Sequence, residues 1–177
     1  MKRIFLIGYM GAGKTSTGVL LARKIDKEFI DTDKRIETDT GRKISEIFAS
    51  DGEEAFRAME TELLKKLLDE GFCGVISCGG GMPVREENRK LLKDLGTVFY
   101  LKVRPETVAL RLSGDSSRPL LAGETEEGRL NKIRSMLDIR DPFYMSGADA
   151  VIPADDISNE EAAYEILTYM EMHSKQV

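Results

Sequence analysis

The chain has 177 residues, enough for about one domain with a sizeable buried core, so neither a metal nor a disulfide staple is needed. Charged residues make up 32%, with 26 basic against 31 acidic side chains and a net charge of −5, which lacks the basic surplus of a general nucleic-acid binder. Cys73 and Cys78 cannot build a disulfide framework, and no apolar run approaches the ~20 residues of a membrane span. The opening run Ile4-Phe5-Leu6-Ile7 is too short for a signal-peptide core and stops at Gly8, so a reducing cytoplasm is the expected location. The lone histidine, His173, leaves little room for Ser-His-Asp chemistry or a His-rich metal site.

Apolar runs predict strands at Arg3–Ile7, Phe29–Asp31, Gly74–Cys78, Thr97–Val103 and Ala150–Ile152. Helical patterns alternate with them. Lys14–Ile25 follows the first strand, and Phe56, Met59, Leu63, Leu64, Leu67 and Leu68 recur at helical spacing. Arg85–Leu95 precedes the fourth strand, Pro105 suits the first turn of a helix to about Leu112, and Arg129–Arg140 is helical. Ser158-Asn159-Glu160-Glu161 is a capping box for a last helix to about Met172. This alternation predicts an α/β fold, a parallel sheet with helices on both faces and its ligands at the carboxyl ends of the strands.

The first such end carries Gly8-Tyr9-Met10-Gly11-Ala12-Gly13-Lys14-Thr15, the G-x-x-x-x-G-K-[ST] loop between strand and helix. Its glycines let several N–H groups converge on one anion, and the next helix adds its positive end. Lys14 reaches terminal phosphates and the Thr15 hydroxyl suits Mg²⁺, so a nucleoside triphosphate with Mg²⁺ is expected. The second strand ends in Asp31-Thr32-Asp33. In extended chain, Asp31 and Asp33 share a face, and two like charges that close need a cation or a proton. Asp33 also suits an N-cap. Arg57 and Glu60 are i, i+3 neighbours, which local sequence reads first as a surface ion pair. The alternative is that Glu60 orients Arg57 toward an anion. Gly79-Gly80-Gly81 closes the third strand, where absent side chains admit a ligand close to backbone, and Cys78 before it reads as a buried free thiol. The polar stretch Ser113–Glu124 is either a connector or, by its composition and length, a lid, on which Arg118 would neutralise phosphoryl charge. Arg140 lies near a helix end, where a cation can simply complement the dipole.

In this order the elements resemble the shikimate kinase family. The resemblance rests on Gly8–Thr15, Phe29-Ile30-Asp31-Thr32-Asp33, Ile44-Ser45-Glu46-Ile47-Phe48, Gly52-Glu53, Phe56-Arg57 with Glu60, Gly79-Gly80-Gly81, Arg118-Pro119-Leu120-Leu121, and Arg140 with Tyr144. It runs from Lys2 to about Met172. It implies a single domain over 1–177 of the nucleoside monophosphate kinase-like P-loop fold, a five-stranded parallel sheet of order 2-3-1-4-5. A substrate-binding segment would lie near 33–60 and a lid near 113–124. The implied reaction is MgATP-dependent phosphorylation of the 3-hydroxyl of shikimate, in aromatic amino-acid biosynthesis. Gly11, Ala12, Gly13, Lys14, Thr15, Ser16, Arg111 and Arg118 would bind ATP, with Arg111 packing on adenine. Arg57, Arg140, Gly79, Gly80 and Gly81 would bind shikimate, and Asp33 would hold its hydroxyl and act as base. Thr15 and Asp31 would serve the metal, Asp31 directly or through water. Partners are then ATP and shikimate, with no nucleic acid or membrane, and a monomer is expected. Pro153–Asn159, expected to wall the adenine, carries Asp155 and Asp156 and shows no known motif. Two alternatives stay open: another small-molecule kinase of this fold, acting on gluconate or a nucleoside monophosphate, and a non-catalytic nucleotide-binding regulator.

Overall fold

The computed structural model describes residues 3–113 and 125–174. The expected lid and Arg118 therefore lie outside the described residues, Ser113 excepted. Five parallel strands form one sheet, β1 (Arg3–Ile7), β2 (Glu28–Asp31), β3 (Gly74–Ser77), β4 (Gly96–Lys102) and β5 (Ala150–Pro153), in the order β2-β3-β1-β4-β5. β1 sits at the centre. Leu6 is in register with Ser77 of β3 on one side and Phe99 of β4 on the other. Ile4, Phe5, Leu6 and Ile7 are all buried. That follows from the continuous apolar run, since a central parallel strand is covered on both faces.

The helices are α1 (Lys14–Lys24), α2 (Thr32–Thr40), α3 (Ile44–Asp69), α4 (Glu86–Leu95), α5 (Pro105–Arg111), α6 (Glu126–Gly147) and α7 (Asn159–Ser174), with a 3₁₀ turn at Met82–Val84. Right-handed crossovers fix their sides. The chain leaves β1 toward β2 in one direction and leaves β3 toward β4 in the other, so α1 and α4 cover opposite faces. α7 joins α1, while α3 and α6 join α4. The loops after the adjacent strands β1 and β3 thus diverge, which opens a crevice between them at the carboxyl edge.

Two local features differ from the sequence reading, and a third was not anticipated by it. The chain turns helical at Thr32, not after Asp33. Asp31 is the N-cap, its Oδ1 accepting from the Lys34 N–H at 3.3 Å, and Asp33 lies in the first turn. The shared-face argument for the two aspartates, which assumed extended chain, fails for that reason. Helix α6 continues through Pro142 to Gly147. Its last turns are held by the Tyr144 ring 5.1 Å from that of Tyr100, and by Arg89 5.0 Å over the Phe143 ring. Arg140 is therefore not in a terminal turn, and the dipole explanation for it falls. Finally, α3 bends at Gly52, whose φ of 83° and ψ of 171° lie outside helical space.

Gly52 has no atom within 4 Å of where a Cβ would stand, so Gly52→Ala tests backbone strain alone. Urea unfolding should show a loss of about 1–3 kcal/mol. An unchanged midpoint would mean that the bend relaxes at no cost.

Candidate functional site

The phosphate loop closes on itself. Gly11 and Gly13 take left-handed φ values of 75° and 93°, and Gly13 caps α1. The Lys14 ammonium donates to the carbonyl oxygens of Gly8 and Tyr9, both at 2.9 Å. The Thr15 hydroxyl donates to Asp31 Oδ2 at 2.8 Å, which joins the start of α1 to the end of β2. Ser16 is exposed on the first turn of α1. Arg111 donates to Gly11 O at 3.2 Å and to Ala154 O at 2.7 Å, so one guanidinium ties the loop to the segment after β5. In that segment Asp155 and Asp156 pair with Arg104, at 3.4 and 3.2 Å.

The turn after β3 lies directly beside this loop. A Cβ on Gly80 would stand 3.6 Å from Gly8 O and 3.7 Å from Met10 N. The turn is held from several elements. The Gly79 N–H donates to Thr32 Oγ1 at 2.8 Å, and the Tyr144 hydroxyl donates to Gly80 O at 2.6 Å. No side chain fits at its ends. A Cβ on Gly79 would collide with Asp33 and stand 2.9 Å from Glu60 Oε1, and one on Gly81 would overlap the Arg57 guanidinium. Glycine is required here by close approach rather than by a left-handed angle.

Arg57 and Glu60 are not a surface pair. Arg57 is 8% exposed and Glu60 is 0% exposed. Helical spacing places both on the face of α3 that packs against the turn, so the local expectation of a solvated pair is overturned by burial. Arg57 donates to Glu60 Oε2 at 2.8 Å and to Glu53 Oε1 at 2.9 Å. Burial opposes the Arg57 charge, but these two carboxylates outweigh it and raise its pKa. Glu60 is the reverse. Burial pushes its carboxyl up to about 7, against the opposing pull of Arg57, with Asp33 adding repulsion and Arg140 attraction. Its Oε1 is buried without a hydrogen-bond partner. Burial also raises the Tyr144 phenol to about 12, which keeps it a donor to Gly80. It raises the Cys78 thiol likewise, as expected of an inert buried cysteine.

The structure thus brings Asp33, Arg57, Gly79, Gly80, Gly81 and Arg140 around one turn, with Lys14, Thr15 and Asp31 across the crevice. Arg140 lies 5.9 Å over the Tyr9 ring, and its Nη1 would be 3.9 Å from a Cβ on Gly80. Sequence reasoning gave no role to Thr32, Tyr144 or Glu53. Tyr144 and Glu53 entered only as residues carrying the resemblance, and Thr32 carries no local signal. An open hollow of about 620 Å³ beside the starts of β2 and β3 involves none of these residues.

Among the described residues there is no cluster of three or more acidic, histidine or cysteine side chains for a metal. The hydroxyl–carboxylate pair of Thr15 and Asp31 suits a cation that arrives with phosphate and water ligands, as Mg²⁺ does.

A phosphate loop facing a cationic, carboxylate-bearing turn on this sheet order defines a P-loop kinase of small molecules. The family model for shikimate kinase matches residues 10–171. The chain belongs to the shikimate kinase family. It is 42% identical over 167 residues to a shikimate kinase of Thermodesulfovibrio yellowstonii, covering 94% of each chain. A shikimate kinase of Symbiobacterium thermophilum is 41% identical over 166 residues, covering 93% of each. A solved shikimate kinase from Acinetobacter baumannii in complex with shikimate superposes with a TM-score of 0.89 at 37% identity, over 98% of this chain and 94% of that one.

Glu60 binds its proton more tightly when folded than at its ordinary value of 4.5. Its contribution to stability is therefore full below that value and is lost as pH rises through about 7. Urea unfolding of the ligand-free protein between pH 5 and 8 should show this fall, on the order of 3 kcal/mol, and Glu60→Gln should flatten it. A slope retained in the variant would assign the titration elsewhere.

Proposed function

We propose that this chain is a shikimate kinase, transferring the γ-phosphoryl group of MgATP to the 3-hydroxyl of shikimate as one domain. The observation that carries this reading is the juxtaposition of a phosphate loop with a glycine turn flanked by Arg57, Arg140 and Asp33, within the family established above. Phosphoryl transfer needs positioning and charge neutralisation more than covalent help.

In this reading Gly11, Ala12, Gly13 and Ser16 present backbone groups to the phosphates. Lys14 exchanges the Gly8 and Tyr9 carbonyls for phosphate oxygens. Arg111 flanks the adenine, and Arg118, from the segment proposed as a lid at 113–124, adds a second positive charge. Thr15 and Asp31 would hold Mg²⁺, which would supply neutralisation of phosphate charge. The substrate-binding segment is 33–60. Arg57 and Arg140 bind the shikimate carboxylate, a planar anion that suits guanidinium geometry. Glu60 and Glu53 hold Arg57 in place through the ion pairs already described. Gly79, Gly80 and Gly81 admit the substrate ring against backbone. Asp33 orients the reacting hydroxyl and takes its proton.

A coupled assay of ADP release, offering shikimate, gluconate and AMP separately, tests the reading; release with shikimate alone is expected. Release with another acceptor, or nucleotide binding with no release, would overturn the substrate or the activity. Lys14→Ala should lower kcat by about 10²–10³-fold with the fold intact by circular dichroism. Arg57→Ala should raise the shikimate KM by tenfold or more, in line with about 2–5 kcal/mol for a buried charge pair. Asp33→Asn should lower kcat by about 10²–10⁴-fold with ATP binding retained by titration calorimetry. An unchanged shikimate KM or a normal kcat would remove the respective role.

A further inference from the structure

Helix α4 carries Asn88, which is 0% exposed and whose side-chain hydrogen bonds go to residues outside the phosphate loop and the glycine turn. Its carboxamide makes two bonds. The Nδ2 group donates to Met82 O at 3.0 Å, on the residue that follows Gly81. Its Oδ1 accepts from the Thr61 hydroxyl at 2.8 Å, on the residue that follows Glu60. The orientation is fixed by chemistry, because a flipped amide would set two oxygens against each other at Met82. Thr61 is itself buried, and its hydroxyl also lies 3.0 Å from Arg57 O. Arg85 donates to the same hydroxyl at 3.5 Å and pairs with Glu54 at its other end. Helix α4 is also held by fully buried Leu92 and by Arg89, which donates to Pro83 O and Val84 O at 2.6 and 2.8 Å, on the same 3₁₀ turn as Met82.

Asn88 is thus a polar bridge from α3 to the turn, and the distance it spans is one the site cannot vary. Gly81 is packed on the Arg57 guanidinium, and a Cβ on Gly79 would stand 2.9 Å from Glu60. A few tenths of an ångström between α3 and the turn would move both charged groups relative to the backbone that faces the substrate.

We propose that Asn88, with Thr61 as its partner, is a positioning residue that sets the separation of Arg57 and Glu60 from Gly79–Gly81, and with it the affinity for shikimate. This rests on the reading of the site given under the proposed function. The bridge lies on the α3 side of the crevice and contacts nothing that would hold the nucleotide, so its loss is selective for one substrate.

The test is steady-state kinetics of the full chain, with KM for shikimate and for ATP measured separately in wild type, Asn88→Ala, Thr61→Val and Thr61→Ser. Asn88→Ala and Thr61→Val should each raise the shikimate KM by about tenfold, the effect of one lost buried hydrogen bond, with the ATP KM within about twofold of wild type. Thr61→Ser keeps the hydroxyl and should restore the shikimate KM. The double variant Asn88→Ala/Thr61→Val should be no worse than its poorer single, because both remove the same bridge. Thermal unfolding confirms that each variant is folded. If Asn88→Ala does not fold, the near-isosteric Thr61→Val, set against Thr61→Ser, decides alone. A folded Thr61→Val with wild-type shikimate KM, a parallel rise in both KM values, or failure of Thr61→Ser to restore would each reduce Asn88 to a merely structural residue. Absence of shikimate-dependent turnover in the wild type would instead overturn the proposed function, and this inference with it.

Discussion

The site depends on one constraint of topology: β1 lies between β3 and β4, and the chain leaves β1 and β3 toward opposite faces of the sheet. Adjacent strands start the loop after β1 and the turn after β3 side by side, and their departure to opposite faces leaves a crevice between them. The sequence fills both places with glycine-rich backbone, and a Cβ on Gly80 would stand 3.6 Å from Gly8 O, in van der Waals contact across the gap. The rest of the chemistry is brought to that crevice by elements arriving from the flanks, α2 and α3 from one side and α6 from the other.

The second organising fact is a buried set of charges. Arg57 and Glu60 are removed from water, where ion pairs gain least in net stability and lose most when one partner is taken away. Such an arrangement is poor stabilisation. Here it leaves Glu60 titrating near 7 and Glu60 Oε1 without a hydrogen bond. Those are the marks of a cluster shaped for something that joins it, since polar groups selected only for the fold are normally satisfied. Tyr144, Thr32 and Asn88 hold the neighbouring backbone rigid, each with a hydrogen bond to the turn or to the residue just after it.

How much of this could be read from sequence depended on the range of the interaction involved. The strands were legible to within a residue or so, because a buried parallel strand is a local apolar run; β1 at Arg3–Ile7 is an example. The phosphate loop was legible for a similar reason, since its glycines and Lys14 lie in one stretch. Helix α2 was not, because Thr32–Thr40 is too polar to show an apolar face and draws its start from the Asp31 cap. The end of α6 was misread at Pro142, where aromatic packing from Tyr100 and Arg89 overrides a residue that usually stops helices. The Arg57–Glu60 pair was misread for the converse reason: its spacing is local but its burial is decided by a turn over twenty residues away in the chain. Asn88 carries no local mark of its function, since nothing in a helical Asn announces which two elements it joins.

The two carbonyl contacts of Lys14 bear on discrimination. Its ammonium holds two carbonyls of its own loop, so the loop itself supplies the charge with neutral acceptors. A newcomer gains little by offering one more neutral acceptor; it must present concentrated negative charge to draw the ammonium away. In the proposed reading this biases the loop toward a polyphosphate and against neutral acceptors such as sugars and alcohols. It also spares the protein an unpaired cation facing a crevice that already holds Arg57 and Arg140.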